Sequence, residues 1–183
     1  RLDGIPLAIE LAAARCRSLT PARINAGLAD SFKLLTGGGR TALPRQQTLE
    51  ASIAWSHELL TQPEQILLRR LSVFTGGCGL DDAEAVVADD ALAQEAVLDL
   101  LDRLVAQSLV HLDDEPFIPR YLLLETVRHY AARRLVEAGE ADALTERHAR
   151  RYHREVVRRG PRAEVDFDIE SFAWLVAELD NFA

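Results

Sequence analysis

The sequence predicts a mainly α-helical fold that carries one small β-hairpin. Three observations lead there. Alanine and leucine supply 56 of the 183 residues and aromatic residues only 6%, a mix suited to helices packed closely through small side chains. Apolar residues recur at helical spacing along most of the chain. Two short runs, residues 109–112 and 120–124, flank the polar turn Asp113-Asp114-Glu115-Pro116 and read as paired extended segments. With 48% hydrophobic and 27% charged residues, the chain can bury a sizeable core and lacks the composition of a disordered one.

The first helix is expected to begin at Pro6, whose missing N–H is no loss in a first turn. Leu7, Leu11 and Ala14 share a stripe, and Ala8, Ala12 and Ala13 permit a close neighbour. Thr20-Pro21 caps a second helix to about Leu28. Gly37-Gly38-Gly39 breaks the pattern. A third helix covers residues 47–60, with Leu49, Ile53, Trp55 and Leu60 suited to burial on more than one side. Thr61-Gln62-Pro63-Glu64 then joins a capping threonine, a first-turn proline and a capping-box glutamate. The helix it starts carries Ile66, Leu67, Arg70 and Leu71 and stops before Gly76-Gly77. Short helices follow at about 80–88 and 94–107, then the hairpin, then a helix over 125–138 closed by Gly139. Helix, helix, helix, strand, turn, strand, helix is the order of a winged helix. Two amphipathic helices, at about 141–159 and 169–183, flank Gly160-Pro161. The expected division is a helical domain over 1–60, a winged helix over 61–139 and a helical pair over 140–183.

The net charge of −8 is strongly segregated. Residues 1–45 balance at +4, residues 80–118 at −10, residues 140–162 at +3 and residues 163–183 at −6. An acidic middle restricts the partners that segment can meet. Cys16 and Cys78 are too few for a disulfide framework or a structural zinc site, and read as buried thiols of a cytoplasmic protein. No apolar run approaches the roughly 20 residues of a membrane span, and no signal peptide opens the chain. Methionine is absent and the chain opens on Arg1-Leu2-Asp3, so it reads as a piece of a longer polypeptide.

Gly4-Ile5-Pro6-Leu7-Ala8, followed by Ile9-Glu10-Leu11-Ala12-Ala13-Ala14-Arg15, resembles the GLPLA motif of STAND-type signal-transduction ATPases, the superfamily that includes NB-ARC proteins. Further stretches resemble its bacterial transcriptional regulators, the LuxR-type and Streptomyces antibiotic-regulatory-type proteins. They are Arg45-Gln46-Gln47-Thr48-Leu49, Ala54-Trp55-Ser56, Leu68-Arg69-Arg70-Leu71-Ser72-Val73-Phe74 and Leu122-Leu123-Leu124-Glu125-Thr126-Val127-Arg128. The resemblance implies a P-loop domain before Gly4, helical and winged-helix domains that close over ATP or ADP, and a tetratricopeptide-like (TPR-like) array after them. It also implies that Gly4, Pro6 and Leu7 edge the nucleotide, although helix initiation alone accounts for Pro6 nearly as well. Where many NB-ARC proteins hold phosphate with the histidine of a Met-His-Asp triplet, this chain has Leu123-Leu124-Glu125. Leucine offers a phosphate no donor, and Glu125 reads as a helix-start acid.

The chemistry of an enzyme is missing. No GxxxxGK[ST] loop occurs, and Gly37-Gly38-Gly39-Arg40-Thr41 lacks the lysine. His148 and His153 are five apart, a spacing that splays them around a helix where a shared metal needs three or four. Arg147, Arg150, Arg151, Arg154, Arg158, Arg159 and Arg162 read either as a phosphate patch or as a solvated face partly matched by Glu146 and Glu155, the second being preferred. Phe167, Phe172, Trp174 and Phe182 are expected to pack the final helix.

The expected function is regulatory and non-catalytic. The chain would couple nucleotide state, in an adjoining upstream domain, to effector regions through a winged helix that does not touch DNA. The alternative is a free-standing winged-helix repressor that binds DNA and dimerises through its C-terminal hairpin; a protein-binding adaptor is a third reading. What separates the first two is the surface of the third winged-helix helix. Val97, Leu100, Leu101, Leu104 and Val105 are expected to face the core, leaving Glu95, Asp99 and Asp102 outside.

Overall fold

The computed structural model of the chain describes Cys16, Thr20, Ala22, Arg23 and residues 53–113, 119–159 and 169–182. The chain divides into two compact units, Arg1–Leu60 with Leu124–Tyr130, and Thr61–Leu123 with Ala131–Ala183.

In the first unit, the Arg23 N–H donates to Thr20 Oγ1 at 3.3 Å, the cap expected of Thr20-Pro21, and Ala22 and Arg23 are helical. Residues 53–58 are helical, and Ile53 and Leu60 are buried. Trp55, expected to be buried, is instead 64% exposed. Two residues along a helix turn through about 200°, so Trp55 faces away from Ile53. The His57 ring meets Tyr130 edge-on at 5.4 Å. The helix starting at Pro6 and the Gly37-Gly38-Gly39 loop lie outside the described residues. Cys16 is exposed, correcting the expectation of a buried thiol.

The second unit opens with α1 (Gln62–Leu71), α2 (Leu80–Val87) and α3 (Val97–Ala106), the last preceded by a single 3-10 turn at Gln94–Ala96. The capping box forms: the Thr61 N–H and hydroxyl both donate to Glu64 Oε2 at 2.7 Å. α1 packs on α2 and α3. The core between them is aliphatic, built of Leu67, Leu68 and Leu71 from α1, Ala83, Val86 and Val87 from α2, and Val97, Leu101 and Leu104 from α3. Phe74, just after α1, is 1% exposed and seals it.

Strands β1 (His111–Asp113) and β2 (Arg120–Leu122) pair antiparallel, Leu112 opposite Tyr121. Cys78 adds a bridge on the other side of β2, its N–H donating to Tyr121 O at 3.0 Å and its carbonyl accepting from the Tyr121 N–H at 2.8 Å. That approach needs Gly77. At φ +73° this residue sits so close to β2 that a Cβ would fall 2.7 Å from Tyr121 O.

Helix α4 (Glu125–Glu137) ends in a left-handed cap at Gly139, φ +70°, as its sequence predicts. The Gly139 N–H donates to Val136 O and the Glu140 N–H to Leu135 O, the paired bonds of a Schellman motif. Then come α5 (Ala141–Arg159) and α6 (Ile169–Ala177), followed by a 3-10 turn at Leu179–Asn181. α2 packs against α5, and α5 meets α6 where Tyr152 stacks on Trp174 at 6.1 Å. Trp174 is buried as expected; Phe172 and Phe182 are largely exposed, and Phe167 lies outside the described residues. Gly160-Pro161 does too. Among the described residues, no helix is long and apolar enough to cross a membrane.

Candidate functional site

In a winged helix, α3 and the β-hairpin are the surfaces that meet DNA when DNA is bound. Here Val97, Leu100, Leu101 and Leu104 point into the core, while Glu95, Leu98, Asp99 and Asp102 are exposed. Val105, expected in the core, is only partly buried, because α3 reaches its end there. Arg103 is the one exposed cation of α3. Asp113 at the end of β1 is half-buried; Asp114, Glu115 and Pro116 lie outside the described residues.

Several arginines of the second unit are engaged in ion pairs between its elements. Glu140, just before α5, accepts from Arg69 at 2.7 and 3.0 Å and from Arg70 at 3.1 and 3.2 Å. The Arg69 hydrogen bonds, with those of Arg70, draw the Glu140 carboxyl from 4.5 down to about 2. Arg70 is buried and also donates to Val87 O at 2.6 Å and pairs with Asp89 at 2.8 Å. Burial opposes its charge, but Glu140 and Asp89 more than offset that and raise its pKa. Arg147 of α5 donates to Ala88 O and lies 3.5 Å from Asp89.

One turn along α5, Arg151 pairs with Asp82 of α2 at 2.8 Å and with Glu155 at 2.9 Å. Burial pushes the Asp82 carboxyl up in spite of Arg151. Glu155 is buried and also receives Arg158 at 2.6 Å and Arg159 at 3.1 Å; Arg158 above all holds its pKa down. Arg159 lies 4.7 Å over the Trp174 ring. The arginine run is thus in part the solvated face expected, matched by Glu146 and Glu155, and in part a set of contacts to other elements. Arg147, Arg151 and Arg159 fasten α5 to its neighbours, and Arg150, Arg154 and Arg158 are exposed. Arg162 lies outside the described residues.

A third cluster lies at the root of the wing. Arg120 on β2 donates to Glu178 Oε1 at 2.5 Å and Oε2 at 3.1 Å, and to the Gly76 and Gly77 carbonyls at 3.1 and 2.9 Å. Glu178 is 1% exposed and also accepts from Tyr152 Oη at 2.8 Å and Asn181 Nδ2 at 2.7 Å. Sequence reading passed over Arg120, Tyr152, Glu178 and Asn181. Glu178 looked like one more acid in an acidic tail, and the pairing spans 58 residues with no local signature.

Glu125 opens α4 and accepts both Arg128 bonds, at 2.9 and 2.8 Å, which lowers its pKa. It is the helix-start acid its position suggested. Gly4, Pro6 and Leu7 lie outside the described residues. Among the described residues, no group of three or more His, Cys, Asp or Glu is placed to hold a metal. His148 packs against Phe74 and Tyr152 at 5.2 and 4.5 Å, while His153 is exposed. Cys78 is fully buried, and burial pushes its thiol far up, so it is inert as a nucleophile.

Comparison with known proteins agrees with this geometry. Residues 60–136 match a family model described as a winged helix-turn-helix domain. The chain is 58% identical over 142 residues to a Mycobacterium tuberculosis protein named "putative HTH-type transcriptional regulator" and to its Mycobacterium bovis counterpart. That match covers 78% of this chain but only 16% of each relative. It is also 45% identical over 163 residues to an uncharacterized M. tuberculosis protein, covering 87% of this chain and 42% of that one. No solved structure matches. Residues 60–136 thus form a winged helix-turn-helix domain, within a chain homologous to part of a much larger HTH-type regulator.

Proposed function

We propose that this chain is a regulatory, non-catalytic segment of a STAND-type, nucleotide-switched transcriptional regulator, and that its winged helix works as a conformational coupler without reading DNA. The acidic exposed surface of α3 and the turn before it carries this reading: Asp99 and Asp102 on the helix, Glu95 in the 3-10 turn, and a single exposed arginine on α3. Set against phosphates, that face adds repulsion and forgoes the counterion release that drives nonspecific affinity. ATP or ADP belongs to the full-length protein, in an adjoining upstream P-loop domain, with Gly4, Pro6 and Leu7 at the edge of that site. Downstream, α5 and α6 are the first pair of a TPR-like array. The partners of the segment are these neighbouring domains, in the cytoplasm.

Fluorescence anisotropy with mixed-sequence duplexes at low salt tests the coupler reading, and calorimetric titration with ATP and ADP tests the nucleotide assignment. No binding in either is expected of this chain. Sub-micromolar duplex binding that maps to residues 94–118 would promote the repressor alternative. Micromolar nucleotide affinity would mean that the site is misplaced.

A further inference from the structure

The half-buried arginine at the root of the wing takes its counter-ion from outside the winged helix. Arg120 belongs to β2, its side chain 13% exposed, and the carboxylate in its hydrogen-bond set is Glu178, beyond α6. Without Glu178, the half-buried Arg120 fork would keep the Gly76 and Gly77 carbonyls and lose its carboxylate, and a cation so poorly served away from water is costly. The same end of the chain grips the loop beside β2. Asn181 Nδ2 donates to Gly77 O at 2.8 Å and Asn181 Oδ1 accepts the Gly76 N–H at 3.3 Å. The next residue in that loop, Cys78, is bonded to Tyr121 of β2 through both backbone groups. Three remote pieces of sequence therefore meet at one point: 76–78, 120–122 and 178–181.

We propose that the segment 169–182 is a latch for the wing: seated, it orders the β1–β2 hairpin through Glu178 and Asn181, and lifted, it releases it. Coupling of this kind is reciprocal. A partner that draws the segment away loosens the wing, and a partner that holds the wing in another position weakens the seating of the segment. The inference rests on this junction alone and stands whether or not the nucleotide reading holds.

Hydrogen–deuterium exchange on the whole chain tests it. Glu178→Gln keeps the side chain's shape and removes its charge. Amides of residues 120–122 should exchange about ten- to a hundredfold faster, the range set by losing hydrogen bonds to a charged group, while α1 and α3 keep their protection. Asn181→Ala breaks the loop contact without removing the ion pair and should loosen the same amides. Arg120→Gln should in turn speed exchange over residues 171–181. Unchanged wing exchange in a folded Glu178→Gln chain overturns the latch. So does a uniform loss of protection across α1, α3 and the wing, which would make Glu178 a general stability residue.

Discussion

Arg151 and Asp82 lie 69 residues apart in sequence and 2.8 Å apart in space, joining α5 to the first turn of α2. The pair is partly buried, with side-chain exposures of 21% and 8%, so water screens it less than a surface bridge. Removing Arg151 leaves the Asp82 carboxylate in a poorly solvated place. Arg151→Met should therefore lower unfolding stability by about 1–3 kcal/mol. Arg150, paired with Glu146 on the exposed face, makes the contrast: Arg150→Ala should change it by less than about 0.5 kcal/mol. Urea denaturation of both variants decides, and equal effects would show that the Asp82 pair holds nothing together.

Two glycines with nearly the same backbone angle should respond differently to alanine. Gly139, φ +70°, has nothing within 4 Å of an added Cβ, so Gly139→Ala carries only the left-handed strain of roughly 1–2 kcal/mol. Gly77, φ +73°, would put the Cβ against Tyr121 O and the Leu122 side chain. Gly77→Ala adds overpacking, about 1–3 kcal/mol more. Thermal melts should show the larger loss at Gly77. The reverse order would mean that β2 shifts aside freely.

Much of this fold was legible because its signals are local. Thr61 with Glu64 and Gly139 after α4 act within one helical turn, and the α3 core stripe follows from periodicity, apart from Val105 at the helix end. Trp55 failed because a short apolar window does not say which face is covered, and Cys16 failed because a residue type carries only an average burial. The latch was illegible for another reason. Arg120 and Glu178 acquire meaning only when β2, the Gly76-Gly77 loop and the end of α6 converge, and nothing in either residue's neighbourhood announces it.

Acid should unfold the chain in two stages. Burial holds the His148 pKa below its ordinary 6.5, so as pH falls through about 6.5 the unfolded chain takes up the proton more readily than the native one and stability drops. Glu140, held near 2 mainly by Arg69, stabilises fully above its unfolded value of 4.5 and loses that contribution as pH falls toward 2. Melting midpoints measured from pH 8 to 2 should show both declines. His148→Phe should flatten the first, and Glu140→Gln should make the second shallower while lowering stability at pH 7 by about 1–3 kcal/mol. A His148→Phe profile with the upper decline intact would place that titration elsewhere.

Changing the sign of the α3 surface should change what it meets. Glu95, Asp99 and Asp102 are exposed and follow one another at spacings of four and three, so all three can be replaced without disturbing the core. Lysine at each position turns three negative charges on one face into three positive ones. A winged helix presents this face outward, and each phosphate it neutralises should release about 0.9 counterion. The triple variant Glu95→Lys/Asp99→Lys/Asp102→Lys should bind mixed-sequence duplexes weakly and lose affinity steeply as salt rises, whereas the unaltered chain should not bind them. Anisotropy titrations at several salt concentrations measure both. If the two proteins bind alike, the charge of this face does not decide whether the domain meets DNA.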